Sequence, residues 1–218
     1  MYITKIFHSI QGEGIYIGRR AIFVRFWGCS KKCAFCDTPQ AQEEGNKKEL
    51  TVLELISQII SVSEETSTKL VVLTGGEPTE QPFDLHVLAK ELKERNIDTI
   101  LETNGTGVGI DYAVFSHVCI SPKDSNVNVT DPLMCASVCF KFLVDPSNPN
   151  DALMLYQSLN IPEDVPIIVQ PQHDPNREYL DEDADSVDFL GELIEKDEFD
   201  RHLDVRYLPQ LHKILGIE

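Results

Sequence analysis

Three cysteines, Cys29, Cys33 and Cys36, fall within eight residues as C-x3-C-x2-C. Thiolates so spaced can converge on one centre from a single loop, and they select zinc, copper(I) or iron–sulfur centres. A structural zinc site closes with four ligands, and an iron–sulfur cube also needs four. No fourth Cys or His stands nearby in the sequence. Three cysteines on a cube would leave one iron open for a substrate or cofactor. A zinc site and unligated thiols are the alternatives. Cys119, Cys135 and Cys139 are scattered through apolar surroundings and read as buried core thiols, not disulfide partners.

A second pattern, Thr74-Gly75-Gly76-Glu77-Pro78, closes an apolar run. Paired glycines there permit close backbone approach, although the same letters also suit an ordinary turn. Arg25 lies in the run that enters the cysteine loop, and its guanidinium can pair a carboxylate through two hydrogen bonds. Ile10, Gln11, Gly12 and Glu13, with Gly14 behind them, can offer amide, backbone and carboxylate groups to a ligand edge. A lone G-x-G would carry little weight.

These residues need elements to hold them. AIFVRFWG (21–28), KLVVL (69–73), DTILET (98–103), AVFSHVCI (113–120), VCFKFLV (138–144) and VPIIVQ (165–170) read as strands. Helices are expected from Thr51, where Thr51 and Glu54 make a capping box, over 82–96 behind Pro82, near 150–159 and near 207–215. Alternating strands and helices, with strands apolar on both faces, predict a mostly parallel sheet. The expected fold is α/β, a partial, open (β/α)6-type barrel formed as a single domain over residues 1–218. Ligands in such sheets gather at the carboxyl ends of the strands.

The chain has 218 residues, 42% of them hydrophobic, with no apolar run near the ~20 residues that span a bilayer. The opening MYITKIFHSIQGEG lacks the features of a signal peptide, so a cytoplasmic protein is expected. Net charge is −17, which argues against nucleic acid and anionic membranes as partners. The charge is uneven. Residues 1–48 hold eight basic and four acidic side chains, whereas residues 174–204 hold three basic and thirteen acidic. The acidic run reads as a solvated face.

With the cysteine triplet and GGEP in place, the chain resembles the radical S-adenosylmethionine (SAM) superfamily. There, three cysteines hold a [4Fe-4S] cluster and SAM chelates the fourth iron. SIQGEGIYIGRRAIFVRFWGCSKKCAFCDT (9–38), ETNGT (102–106), SPK (121–123), QP (170–171) and QLHKILGIE (210–218) further resemble the 7-carboxy-7-deazaguanine synthases. That resemblance implies ring contraction of 6-carboxy-5,6,7,8-tetrahydropterin with loss of ammonia, started by hydrogen abstraction from C6 by a SAM-derived 5′-deoxyadenosyl radical. The hydrogen is then returned, so no side chain carries the radical.

The same resemblance assigns residues. Cys29, Cys33 and Cys36 would hold the cluster, and Thr38 a Mg²⁺ beside the substrate carboxylate, unless Thr38 merely caps the turn at Pro39. Gly75, Gly76, Glu77, Glu102, Asn104, Ser121, Pro122, Lys123 and Gln170 would meet SAM, with a turn role open for Asn104 and a solvated cation open for Lys123. Ile10, Gln11, Gly12, Glu13, Arg25, Thr74, His212 and the terminal Glu218 would meet the pterin, with a frayed tail as the alternative for Glu218. A flavodoxin- or ferredoxin-like electron donor and a homodimer follow from the resemblance alone. Two competing functions are a radical SAM activating enzyme acting on a protein, and an iron–sulfur electron carrier or zinc-stabilised module.

Overall fold

A computed structural model describes residues 1–145, 147–172, 191, 194–195 and 202–217. Among these residues the framework is one nine-stranded sheet. β1 (Tyr2–Ile10) pairs antiparallel with β2 (Arg20–Phe26) and, on its other edge, with the two-residue β3 (Lys48–Glu49). From β2 the sheet is parallel throughout, through β4 (Leu70–Gly75), β5 (Asp98–Thr103), β6 (His117–Ile120), β7 (Val138–Val144), β8 (Ile167–Pro171) and β9 (Val205–Tyr207). The strand order has two free ends, so the sheet is open.

Helices α1 (Val52–Thr66), α2 (Pro82–Glu94) and α3 (Pro149–Ser158) are the crossovers expected for parallel strands. The capping box is present: the Thr51 hydroxyl accepts from the Glu54 amide at 3.2 Å, and the Thr51 amide donates to the Glu54 carboxylate at 2.8 Å. Leu55, Ile56 and Ile59 bury the inner stripe of α1.

Side chains alternate across each strand with period two. The outward set, including Ile22, Val24, Phe26, Val71, Leu73, Leu101, Phe140, Phe142 and Val169, packs with the helices into the main core. The inward set changes character along each strand. Phe23, Val72, Ile100, Cys119, Cys139 and Ile168 form two apolar clusters low on the inner face. Two residues further toward the carboxyl end stand Arg25, Thr74, Glu102, Ser121, Lys141 and Gln170. A polar layer thus rests on an apolar one, at the strand ends where ligands of such sheets gather.

Several elements depart from the sequence reading. β1, β3 and β9 were not expected. The strand expected over 113–120 begins only at His117, because Asp111 accepts from the Ala113 amide at 3.2 Å and fixes a 3-10 turn over Tyr112–Val114. A 3-10 turn over Asp131–Met134, a stretch to which the sequence reading assigns no element, stands between β6 and β7. The helix expected near 207–215 is confined to Leu211–Ile214. Residues before it join the sheet, since the Ile167 amide donates to Asp204 O at 2.9 Å and the Leu208 amide to Val169 O at 3.0 Å. Nearly all of the acidic run 174–204 lies outside the described residues. The three scattered cysteines are core thiols as expected, none more than 5% exposed.

Candidate active site

One cleft at the carboxyl ends of the strands gathers most of the singled-out residues. Its wall carries Cys29, Cys33, Cys36 and Thr38 from the loop after β2, and Ile10, Gln11, Gly12 and Glu13 from the loop after β1. Arg25, Thr74, Gly75, Gly76, Glu77, Glu102, Asn104, Ser121, Lys123 and His212 complete the set. Pro122 and Gln170 are buried and lie off the cleft wall. Glu218 lies outside the described residues.

The cysteine loop is held from behind. The Gly28 amide donates to Ala41 O at 2.8 Å, and the Glu77 amide donates to Gly28 O at 2.7 Å. The three thiols are free and half-buried. Burial pushes Cys29 up to about 11 and Cys36 above its ordinary value, so binding a metal here must displace protons. Among the described residues no further cysteine lines the cleft. Three soft donors lining one cleft, with no fourth beside them among the described residues, fit an iron–sulfur cluster with one iron left for a cofactor better than they fit a closed zinc site.

Gly75 and Gly76 are required by packing. Gly75 has φ +108, and a Cβ on Gly76 would sit 1.9 Å from Gly28 O. The Glu77 carboxylate is engaged by the framework itself. It accepts from the Thr79 amide and hydroxyl (3.1 and 2.6 Å), the Thr103 hydroxyl (2.7 Å) and the Asn104 amide (2.7 Å), so it braces β4 against β5. Desolvation nevertheless raises its pKa. Asn104 Oδ1 accepts from the Thr106 amide and hydroxyl at 2.9 and 2.7 Å, the turn role left open above. Lys123 is no solvated cation: it is half-buried, donates to Ser121 Oγ at 2.7 Å, and has its pKa lowered by burial and by Lys141.

On the opposite wall, Arg25 stands half-buried with its guanidinium 5.0 Å from the Phe7 ring centre, and Phe7 stacks on Phe23. Two stacked rings give a planar apolar floor beneath a cation. Thr38 makes no capping hydrogen bond to the turn it precedes; its hydroxyl donates to Asp37 at 2.9 Å. One carboxylate oxygen each from Glu13 and Asp37 and a ring nitrogen of His212 lie within 4.8 Å of one another, two hard oxygens and a borderline nitrogen that could hold a divalent cation. The terminal turn brings His212 down: the Leu211 amide donates to Gly12 O at 3.0 Å, and a Cβ on Gly12 would lie 2.2 Å from His212 Nδ1. Burial lowers the His212 pKa, keeping the ring neutral at pH 7.

Sequence reasoning missed Phe7, Phe23, Phe35, Asp37, Lys141 and Gln210, all in the cleft wall. The alternation of β1 could have revealed Phe7. Lys141 sits in an apolar run, VCFKFLV, and a charge placed there is itself a signal. It is buried and paired with Glu13 and with Glu102, the latter at 3.0 Å.

The open parallel sheet with its three-thiol loop defines an α/β protein of the radical SAM kind. Residues 25–118 match the family described as the Radical SAM superfamily. Among solved structures, QueE from Escherichia coli superposes with a TM-score of 0.67 at 23% identity, over 97% of this chain and 94% of that one. SuiB of Streptococcus suis bound to S-adenosylmethionine superposes at 0.52 and 14%, over 83% of this chain and 48% of that one. The 7-carboxy-7-deazaguanine synthases of Rickettsia prowazekii and Thermoplasma acidophilum are each 30% identical over 99% of this chain, covering 88% and 97% of their own lengths. That of Methanothermobacter thermautotrophicus is 29% identical over 99% of this chain and 97% of its own. The chain belongs to the 7-carboxy-7-deazaguanine synthase family.

Proposed function

We propose that this protein, acting as a single domain, converts 6-carboxy-5,6,7,8-tetrahydropterin to 7-carboxy-7-deazaguanine with ring contraction and release of ammonia. The observation that carries this is the convergence of the three thiols, the loop over residues 10–13, Arg25 and His212 on one cleft. The full-length match to relatives of one name favours a pterin over a protein substrate.

Cys29, Cys33 and Cys36 would hold the [4Fe-4S] cluster. When bound, the cluster and SAM together supply a carbon radical able to take hydrogen from a substrate carbon. The side chains bind and orient. Arg25 pairs the substrate carboxylate, while Phe7 and Phe23 floor the ring. Gln11, Glu13, Thr74 and His212 read the pterin edge, with Ile10 and Gly12 shaping the loop and Glu218 as a further candidate. Thr38 offers a hard oxygen to Mg²⁺. Backbone groups at Gly75 and Gly76 meet the SAM ammonium, and Ser121, Pro122 and Lys123 its carboxylate or ribose. Glu102, Asn104 and Gln170 are assigned to the rest of SAM, Gln170 because both ends of its buried amide lack a partner. Glu77 supports this end through the strands it braces. No described helix is long and apolar enough to cross a membrane; the functional setting we propose is cytoplasmic, as a homodimer served by a flavodoxin- or ferredoxin-like reductant.

The test is anaerobic incubation of the reconstituted protein with 6-carboxytetrahydropterin, SAM, Mg²⁺ and a reductant, with products identified by mass. A carboxylated deazaguanine is expected. SAM cleavage with no deazapurine formed would overturn the assignment of substrate.

A further inference from the structure

Lys141 is a deeply placed cation that the proposed chemistry does not use. It rises from β7 between Cys139 and Leu143, on the inner face, with its side chain 7% exposed. Its ammonium pairs with Glu13 and, at 3.0 Å, with Glu102. The other oxygen of Glu13 accepts from Gln210 Nε2 at 2.6 Å, and the other oxygen of Glu102 accepts from Gln11 Nε2 at 3.1 Å. Gln11 and Glu13 share one loop, so the contacts close a ring through that loop, the end of β5 and β7, with the carboxyl-terminal segment attached through Gln210.

The direction of the pKa shifts agrees with this geometry. Lys141 is held well above the ordinary lysine value by Glu102 and Glu13, against a desolvation penalty, while Glu13 is lowered to about 2. A cation holding its proton this firmly is a poor proton donor, and a carboxylate this acidic is a poor base. The pair is suited to fixing geometry. Beneath it lie Cys119, Cys139 and Ile168, an apolar layer that offers the two carboxylates no other cation.

We propose that Lys141 is a positioning residue that sets the carboxylates of Glu13 and Glu102 relative to each other. It thereby locks the loop over residues 11–14 and the carboxyl end of β5 into one unit. Resting on the assignment of Glu13 to the pterin and Glu102 to SAM, the consequence is that bound SAM and bound pterin sense each other through Lys141.

Hydrogen exchange on the cluster-free protein and equilibrium binding on the reconstituted protein test this together. In Lys141→Met, the amides of Gln11, Gly18 and Leu211, which donate across the loop, are expected to exchange roughly tenfold faster or more, the loss expected for hydrogen bonds to charged groups. Pterin affinity measured with SAM present falls by a similar factor, iron content stays at the wild-type level, and Lys141→Arg recovers most of the loss. Because Lys141→Met strands two carboxylates and can fail to fold, the uncharged triple variant Glu13→Gln/Glu102→Gln/Lys141→Met is measured beside it. It is expected to fold with the same fast loop exchange. Wild-type exchange at these amides in whichever of the two variants folds overturns the proposal, as does unchanged pterin affinity in folded Lys141→Met. Should the wild-type protein itself fail to bind the pterin, the substrate assignment falls while loop exchange still judges Lys141.

Discussion

Gly76→Ala tests the claim that the GGEP turn is shaped by contact with the cysteine loop. The added Cβ would lie 1.9 Å from Gly28 O, 2.7 Å from its carbonyl carbon and 3.1 Å from its nitrogen, all backbone atoms that no rotamer change can move. A relaxed carbon–oxygen contact is about 3.3 Å or more, so the two segments must part by more than an ångström. Two hydrogen bonds stand in the way: Glu77 N to Gly28 O at 2.7 Å and Gly76 N to Phe26 O at 2.9 Å. Losing them in this partly buried setting costs about 2–6 kcal/mol, counting about 1–3 kcal/mol for one group left without a partner at each bond. For a chain of this size that lowers Tm by roughly 4–24 °C. Thermal melts of cluster-free Gly76→Ala against Gly45→Ala, whose Cβ meets nothing within 4 Å, provide the assay. Iron content after reconstitution is the second reading, because Gly28 immediately precedes Cys29. A Gly76→Ala melt within about 1 °C of wild type, with full iron loading, would refute the packing argument.

Cys33→Ala should abolish iron incorporation and Arg25→Ala should raise the pterin KM with iron content intact; iron analysis of both variants separates holding the cluster from holding the substrate. Acidification should destabilise the cluster-free protein in two stages. The His212 pKa is lowered by burial, so its unfolded form takes up protons first, below about 6.5, and Glu13, folded value about 2 against 4.5 unfolded, adds a loss between those pH values. Urea melts from pH 7.5 to 3 check both, and Glu13→Gln should flatten the lower stage. Thr51→Ala should cost about 1 kcal/mol by removing the α1 cap, read as a shift of the urea midpoint with an unchanged slope.

What the sequence made legible was whatever is local. The capping box at Thr51 and Glu54, the proline start of α2 and the continuous apolar strands are written within a few residues, and each stands in the structure. The cysteine triplet and GGEP are equally local, since each belongs to one strand end. β9 was hidden because Val205–Tyr207 is only three residues long and forms a strand through partners on β8 more than thirty residues away. The role of Glu77 was hidden for the same reason: its motif suggested a ligand contact, while its four donors come from Thr79, Thr103 and Asn104, partly on another strand.

Charge shows the same distinction at larger scale. The amino-terminal 48 residues carry eight cations, yet only Arg25 and Lys31 of these line the cleft. Lys31 pairs with Asp124 beside the SPK strand end, and Arg25 stands over the Phe7 ring. The other cations of the cleft, Lys123 and Lys141, arise far along the chain, and Lys141 stands opposite two carboxylates. The field in the site is therefore set by strand register, which turns residue 141 inward two places above an apolar Cys139, and not by the net charge of a segment. Register also explains why a buried lysine persists in a run as apolar as VCFKFLV. The layer it enters is polar on every neighbouring strand, and a leucine there would remove the cation that pairs with both Glu13 and Glu102.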